Sequence, residues 1–314
     1  MTDYKTLIDA ETWAFIEQTH ACYPEDTARR GVTEQRAIYD AMCRSFHAGH
    51  PPGVSARNDS LDAGGRRIPI RRYAPPSPAA GGALVVYYHG GGFVVGGLES
   101  HDDVCAELCA ATGYPLVSVD YRLAPEHVHP AQSDDALAAY RQLAAERDGP
   151  LLLCGDSAGG TLCAGIAHRM RGDAKAPTGQ VLIYPMLGIG SNRGSYVAHA
   201  HAPMLPAADC AAYVELRTGG AAVENDPAYF ALTDTDFSGL PPTVMISAEC
   251  DPLNDDCRDY RDAILAAGGR AHWIEGKGLV HGFLRARHSA TRARQRFAQI
   301  VQAVAALGRG EWPY

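Results

Sequence analysis

One serine in this sequence stands where it could act as a nucleophile. GDSAG at residues 155–159 is a G-x-S-x-G pattern between the apolar run LLLC and a helix-like stretch. A serine at such a strand-to-helix turn adopts strained backbone angles, and its small neighbours let strand and helix pack closely beneath an outward-pointing hydroxyl. Since that hydroxyl is a weak nucleophile, it needs a base beside it. The pattern predicts that Ser157 attacks a carbonyl carbon; the alternative is an ordinary glycine-rich turn.

A glycine loop could stabilise the negative charge that this attack creates. HGGG at residues 89–92 directly follows the apolar run LVVYY. Its glycines allow backbone N–H groups to approach a carbonyl oxygen as it becomes an oxyanion, and the N–H of Ala158 would join them. A phosphate-binding loop is the alternative, but the spacing of known phosphate loops is absent. We expect His89 to be a structural hydrogen-bonding residue rather than a base.

An acid and a histidine follow later strand-like runs. Asp251 comes after TVMIS, and His281 follows HWI by a short loop. Each residue alone is unremarkable, since such an Asp usually caps a helix and such a His is usually a satisfied surface or core group. Together with Ser157 they occur in the chain order of an α/β-hydrolase triad. This order predicts His281 as the base and Asp251 as the acid that orients it.

Five motifs in order resemble those of the hormone-sensitive lipase-like, HGGG-motif carboxylesterases of the α/β-hydrolase superfamily. They are HGGGF at 89–93, YRLAPE at 121–126, GDSAGG at 155–160, DPL at 251–253 and HGF at 281–283. The resemblance implies an α/β-hydrolase fold, with a mostly parallel central sheet flanked by helices and a helical cap. It also implies a triad of Ser157, Asp251 and His281. The implied oxyanion donors are Gly90, Gly91 and Ala158, with His89, Gly92 and Asp156 as supporting residues.

The resemblance implies a serine carboxylesterase that forms an acyl-enzyme on Ser157. Because the sequence shows no signal peptide and no large exposed apolar lid signature, we expect its substrates to be small, short-chain esters rather than emulsified fats. Two alternatives stay open: an amidase, formamidase or lactonase with the same triad, and a non-catalytic ligand receptor on the same fold. We expect no cofactor and no metal, because the triad chemistry needs none and no Cys-x-x-Cys or H-E-x-x-H motif is present.

Alternating strand-like and helix-like segments would position these residues. Short runs rich in β-branched and aromatic residues predict strands at 84–88, 116–119, 151–154, 181–184, 243–247 and 272–274. Helix-like stretches lie between them, at 102–111, 133–146, 158–170 and 254–267. This alternation predicts a parallel sheet covered on both faces. The run RRIPIRR at 66–72 predicts an additional antiparallel strand.

Two segments do not follow the alternation. Residues 1–50 look helical and end at His50-Pro51-Pro52-Gly53, and residues 188–225 are irregular, then helical around 207–217. We therefore predict two cap segments, 1–50 and 188–225, on a catalytic core formed by 51–187 and 226–314.

Composition narrows the partners and the compartment. The 314 residues are 46% hydrophobic and carry a net charge of −8, which opposes binding to nucleic acid or to anionic membrane surfaces. Nine cysteines, several within apolar runs, favour a reducing compartment. With no visible secretory signal or membrane-spanning run, we expect a cytoplasmic protein that binds a small-molecule ester. Because members of the resembled family are often dimers, a homodimer stays an alternative.

Overall fold

The computed structural model describes residues 2–188 and 192–314. Met1, in the first predicted cap segment, and residues 189–191, in the second, lie outside the described residues. Eight strands form one sheet in the order β1-β2-β4-β3-β5-β6-β7-β8. They are β1 Ser55–Asp62, β2 Arg67–Ala74, β3 Leu84–Tyr88, β4 Leu116–Val119, β5 Leu151–Asp156, β6 Gly179–Ile183, β7 Thr243–Cys250 and β8 Ala271–Val280.

The six strands β4-β3-β5-β6-β7-β8 are parallel to one another. Strand β2 pairs antiparallel with both β4 and β1, so β2 alone runs in the opposite direction to the rest of the sheet. Ten α-helices are found in the described part of the chain. They are α1 Tyr4–Leu7, α2 Ala10–Ala21, α3 Val32–Phe46, α4 Asp102–Thr112, α5 Ala131–Ala145, α6 Ala158–Arg169, α7 Ser195–Ala198, α8 Ala207–Thr218, α9 Asn254–Ala266 and α10 Thr291–Gly308. This architecture confirms the predicted α/β-hydrolase fold with its mostly parallel sheet. No described helix has the length and apolar character needed to cross a membrane.

Helices cover both faces of the sheet because its central strands are apolar on both sides. Every residue of β3 is buried, and its side chains alternate between two core clusters. Val85 and Tyr87 lie in one cluster with residues of α4 and α10. Val86 and Tyr88 lie in the other with residues of α5, α6 and α9. The continuous apolar run that predicted this strand thus reflects its burial between two helical layers.

Two strands differ from the sequence prediction. The antiparallel pair includes β1, which was not predicted because SARNDSLD is polar; only Leu61 in it is buried. The other difference is β8, which runs to Val280 rather than ending at Ile274. Its second half, EGKGLV, has weak strand propensity but pairs with β7 around an irregularity in register. Pairing with a neighbouring strand therefore overrides local preference at this edge.

The helices outside the alternating core lie over the carboxyl ends of the strands. Residues of α2, α3 and α8 line the cavity that opens above Ser157. Ligands commonly bind in the crevice at this end of an open α/β sheet.

Candidate active site

Ser157 occupies the turn between β5 and α6 in a strained backbone conformation. Its φ of 51° is unusual for a residue with a side chain. The turn is held by a 2.8 Å hydrogen bond from the Ser157 N–H to the Ile183 carbonyl. At Gly159, a Cβ would lie 1.8 Å from the Tyr88 carbonyl oxygen, so only glycine lets α6 approach β3. The small residues of the G-x-S-x-G pattern have the packing role that the sequence predicted.

The three residues of the predicted triad lie within hydrogen-bonding distance of one another. His281 Nε2 is 2.9 Å from Ser157 Oγ, and His281 Nδ1 is 2.6 Å from Asp251 Oδ2. Asp251 is fully buried, and its other oxygen accepts the Leu253 N–H at 2.9 Å. Because a carboxylate can only accept here, His281 carries its proton on Nδ1 and Nε2 accepts the serine hydroxyl. This arrangement can activate Ser157 as a nucleophile.

Tyr184 packs against the imidazole of His281, a contact that no motif in the sequence indicated. Its ring centroid lies 4.7 Å from that of His281 and 5.1 Å from that of Phe283. Tyr184 directly follows β6 and has a φ of 35°. Burial raises the pKa of its hydroxyl well above the ordinary value, so the ring stays neutral. Its place at the end of a strand next to β5 was the only signal that could have indicated it.

The predicted oxyanion donor Gly90 has another partner. Its N–H donates to Asp156 Oδ1 at 3.0 Å, and the Tyr87 hydroxyl donates to the same oxygen at 2.7 Å. Burial opposes the charge on Asp156, but His101 and the Tyr87 hydrogen bond outweigh it and hold the pKa of Asp156 well below its usual range. Since this N–H already has a charged acceptor, the prediction that Gly90 stabilises an oxyanion needs correction.

The next two glycines offer N–H groups that none of the described residues accepts. These are the N–H groups of Gly91 and Gly92. The N–H of Ala158, at the first position of α6, likewise has no acceptor among the described residues. The φ of Gly91 is 127°, and a Cβ there would lie 2.1 Å from the Val95 carbonyl oxygen. The loop conformation therefore requires glycine and leaves three N–H groups for a substrate oxygen.

His89 is a buried support at the start of this loop. Its ring stacks on Tyr121 with centroids 4.4 Å apart, and its Nδ1–H donates to the Gly90 carbonyl at 2.8 Å. Burial lowers the pKa of His89 to about 4, so the ring is neutral near pH 7. His89 is therefore a neutral, buried ring, and it is His281 rather than His89 that contacts Ser157 Oγ. These properties fit a structural role for His89.

A cavity of about 680 Å³ lies above Ser157 and His281. One part of its wall comes from α2 and α3, with Thr19, Tyr39 and Met42, and another part from α8. Within α8, the buried Arg217 side chain lies with its guanidinium carbon 3.8 Å from the Phe93 ring centroid. Burial lowers the pKa of Arg217 to about 9. This side chain links α8 to the glycine loop.

One cluster among the described residues brings donor atoms close enough for a metal ion: His47, His50 and Asp102. The Gly49 N–H donates to His47 Nδ1 at 3.0 Å, so the proton of neutral His47 is on Nε2, the atom that faces Asp102. Arg71 donates to the other Asp102 oxygen at 2.8 Å. A protonated His47 nitrogen cannot bind a metal ion, and the Arg71 guanidinium would repel one. The cluster therefore fits a set of hydrogen bonds to Asp102 better than a metal site.

The chain is similar to known ester hydrolases of the α/β-hydrolase fold. The family model described as the alpha/beta hydrolase fold matches residues 85–285. The chain is 34% identical over 250 residues to the ethyl acetate hydrolase of Pseudomonas putida, covering 76% of this chain and 79% of that protein. It is 37% identical over 254 residues to carboxylesterase NlhH of Mycobacterium tuberculosis, covering 77% and 76%.

Solved structures are similar over nearly the whole chain. The hyperthermophilic esterase of Pyrobaculum calidifontis superposes with a TM-score of 0.87 at 30% identity, covering 96% of this chain and 99% of that one. A bacterial heroin esterase gives a TM-score of 0.85 at 29% identity, covering 98% and 99%. The shared fold includes the helices that line the cavity.

Proposed function

The chain belongs to the hormone-sensitive lipase-like carboxylesterases of the α/β-hydrolase superfamily, and from this membership we propose that it hydrolyses small carboxylic esters through an acyl-enzyme on Ser157. The observation that carries the proposal is the pair of contacts made by His281, 2.9 Å to Ser157 and 2.6 Å to Asp251.

The proposed cycle begins with His281 accepting the Ser157 proton as Oγ forms a bond to the ester carbonyl carbon. The N–H groups of Gly91, Gly92 and Ala158 receive the oxyanion. Protonated His281 then donates its proton to the leaving alkoxide as the ester C–O bond breaks. Water, deprotonated by His281, attacks the carbonyl carbon of the acyl-enzyme. The bond from this carbon to Ser157 Oγ then breaks, His281 returns the proton to Oγ, and the acid is released. Asp251 keeps the Nδ1 proton in place and stabilises the imidazolium.

Covalent labelling tests the nucleophile. A fluorophosphonate should modify the wild-type chain once, with the adduct on the peptide that contains Ser157, and Ser157→Ala should abolish both the label and ester turnover. Thr161→Ala, at a hydroxyl one turn along α6 that donates to the Met186 carbonyl rather than to His281, is the matched control and should still be labelled. A Ser157→Ala protein that hydrolyses esters at the wild-type rate would refute the assignment.

The substrate is proposed to be a short-chain ester. A relative that is named for ethyl acetate supports this size class. A panel of chromogenic esters from acetyl to dodecanoyl tests it, with kcat/KM expected to be highest for the short acyl groups. A maximum at dodecanoyl would contradict the proposal.

The alternatives from the sequence are less well supported. A ligand receptor does not need Ser157, His281 and Asp251 in hydrogen-bonding contact, and failure of the fluorophosphonate to label the protein would favour that reading. An amidase, formamidase or lactonase would use the same triad, but the named relatives are ester hydrolases. Matched ester and amide substrates of one acyl group would separate these activities.

We further propose that residues 1–50 and 188–225 form the cap on a core of 51–187 and 226–314. The lining of the cavity by α2, α3 and α8 supports this division. All nine cysteines are free thiols and eight are buried, which supports the expectation of a reducing compartment. The cytoplasmic location and the homodimer stay predictions.

A further inference from the structure

One arginine of α3, Arg36, donates hydrogen bonds to the turn that follows the glycine loop. Arg36 Nε donates to the Val94 carbonyl at 2.8 Å, and Arg36 Nη2 donates to the Ala124 carbonyl at 3.0 Å. The same guanidinium binds both carboxylate oxygens of Glu126, at 2.8 and 2.7 Å. One side chain from the N-terminal helices therefore joins two segments of the core.

Val94 belongs to the turn that fixes the glycine N–H groups. The N–H groups of Val94 and Val95 each donate to the Gly91 carbonyl at 3.0 Å, and the Ala124 N–H donates to the Phe93 carbonyl at 2.8 Å. The carbonyl that Arg36 binds thus lies in the same short turn as the carbonyl of Gly91. A shift of this turn would move the N–H groups of Gly91 and Gly92.

Apolar contacts hold the same surfaces together. Val94, Val95 and Ala124 form a small buried cluster, and Val32 and Tyr39 of α3 pack against it. The ion pair itself is partly solvated, with 26% of the Arg36 side chain and 46% of the Glu126 side chain exposed. Since an exposed ion pair contributes little stability, the two carbonyl contacts are the ones that can fix the position of the loop.

We propose that Arg36 is a positioning residue for the oxyanion loop, and this rests on the proposed ester hydrolysis. By holding the Val94 carbonyl, Arg36 keeps the N–H groups of Gly91 and Gly92 directed at the substrate oxygen before the reaction starts. Such preorganised donors lower the barrier because they need no rearrangement as charge develops. The N-terminal helix then contributes to the rate of the chemical step as well as to the cavity wall.

Arg36→Met tests the proposal, with Arg44→Met as the matched control. Arg44 is exposed near the end of the same helix, so its substitution removes an equal charge. Because loss of one oxyanion donor costs about 10²- to 10³-fold, misplacement in Arg36→Met should lower kcat by roughly 10- to 100-fold. The KM for a short ester should stay within about threefold, since substrate binding before the reaction uses other contacts.

Inhibition by a trifluoromethyl ketone distinguishes positioning from a general structural role. This compound forms an oxyanion adduct with the serine, so its Ki for Arg36→Met should rise by about the same factor as kcat/KM falls. The proposal would be overturned if folded Arg36→Met had the wild-type kcat or if only its KM changed. It would also be overturned if kcat fell while the Ki of the trifluoromethyl ketone stayed unchanged.

If Arg36→Met does not fold, Arg36→Lys replaces it, because lysine keeps the charge but lacks the planar fork that spans two carbonyls. Its kcat and trifluoromethyl ketone affinity should fall together by a smaller factor, and wild-type values of both would overturn the proposal. Turnover and labelling of the wild-type protein test the proposed function separately. A wild-type chain with neither would refute that function whatever the Arg36 variants do.

Discussion

The N–H of Gly90 donates to the carboxylate of Asp156 at 3.0 Å and ties the glycine loop to the residue directly before Ser157. Asp156 is buried, its Oδ1 also accepts a hydrogen bond from the Tyr87 hydroxyl, and its Oδ2 faces His101. The turn that carries Ser157 and the glycine loop are therefore joined by one charged side chain.

Asp156→Asn should reduce turnover while leaving the nucleophile in place. The amide keeps the size of the carboxylate but loses the charge that accepts from Gly90 and faces His101. We expect kcat to fall roughly 10-fold or more, because the glycine loop is held less firmly. For comparison, complete removal of one oxyanion donor costs about 10²-fold or more in kcat. Asp148→Asn, at an exposed surface position, is the control. Steady-state kinetics with unchanged kcat would contradict this role for Asp156.

Asp251→Asn should have a much larger effect. An asparagine can donate to Nδ1, which favours the imidazole tautomer with its proton on Nε2 and blocks acceptance of the Ser157 proton. In a serine protease the equivalent change lowers kcat about 10⁴-fold, and a loss of similar order is expected here. Asp262→Asn on the exposed face of α9 should leave kcat unchanged. Steady-state ester hydrolysis would measure kcat for both variants. A fall in the kcat of Asp251→Asn smaller than about 10-fold would argue against Asp251 as the orienting acid.

Gly91→Ala should inactivate the loop without affecting the triad. The new Cβ would lie 2.1 Å from the Val95 carbonyl oxygen, at a φ that side chains rarely adopt. Displacement of this N–H should lower kcat by about 10²-fold. Gly31→Ala, where the added Cβ meets no atom within 4 Å, should be neutral. Ester hydrolysis at several substrate concentrations would measure kcat, and fluorophosphonate labelling would show whether Ser157 still reacts. An unchanged kcat would show that Gly91 is not a donor.

Asp256 should contribute more to the free energy of unfolding at mildly acidic pH than above pH 7. Burial raises the pKa of Asp256 to about 7, although the Leu187 and Gly188 N–H groups oppose this shift. The folded state then binds more protons than the unfolded state between about pH 4 and pH 7, so this group's contribution to the free energy of unfolding falls as pH rises through that window.

Asp256→Asn removes this dependence, because the amide stays neutral and its oxygen can still accept from Leu187. Urea unfolding of both proteins from pH 5 to pH 8 would measure it. The variant should gain stability relative to the wild type as pH rises. A difference between the two proteins that is constant over this range would contradict the raised pKa.

Much of the site could be predicted from the sequence because its signals are local. The pattern at 155–159 gave the nucleophile turn, and the positions of Asp251 and His281 after strand-like runs gave their place at one edge of the sheet. The continuous apolar strands predicted two covering layers of helices. Local rules were insufficient for β1 and for the second half of β8, since both strands depend on pairing with a neighbour.

What the sequence alone determined is the set of chemical groups and their order: a nucleophile turn, a glycine loop, an acid and a histidine. Only the tertiary structure decided which N–H groups of the glycine loop already have an acceptor among the described residues. Gly90 meets Asp156 across 66 positions of chain, and Arg36 meets Val94 across 58. Periodicity and motif spacing carry no information about such contacts, because they depend on how separate elements pack. The same holds for Tyr184, which reaches His281 only after β6, β7 and β8 have paired.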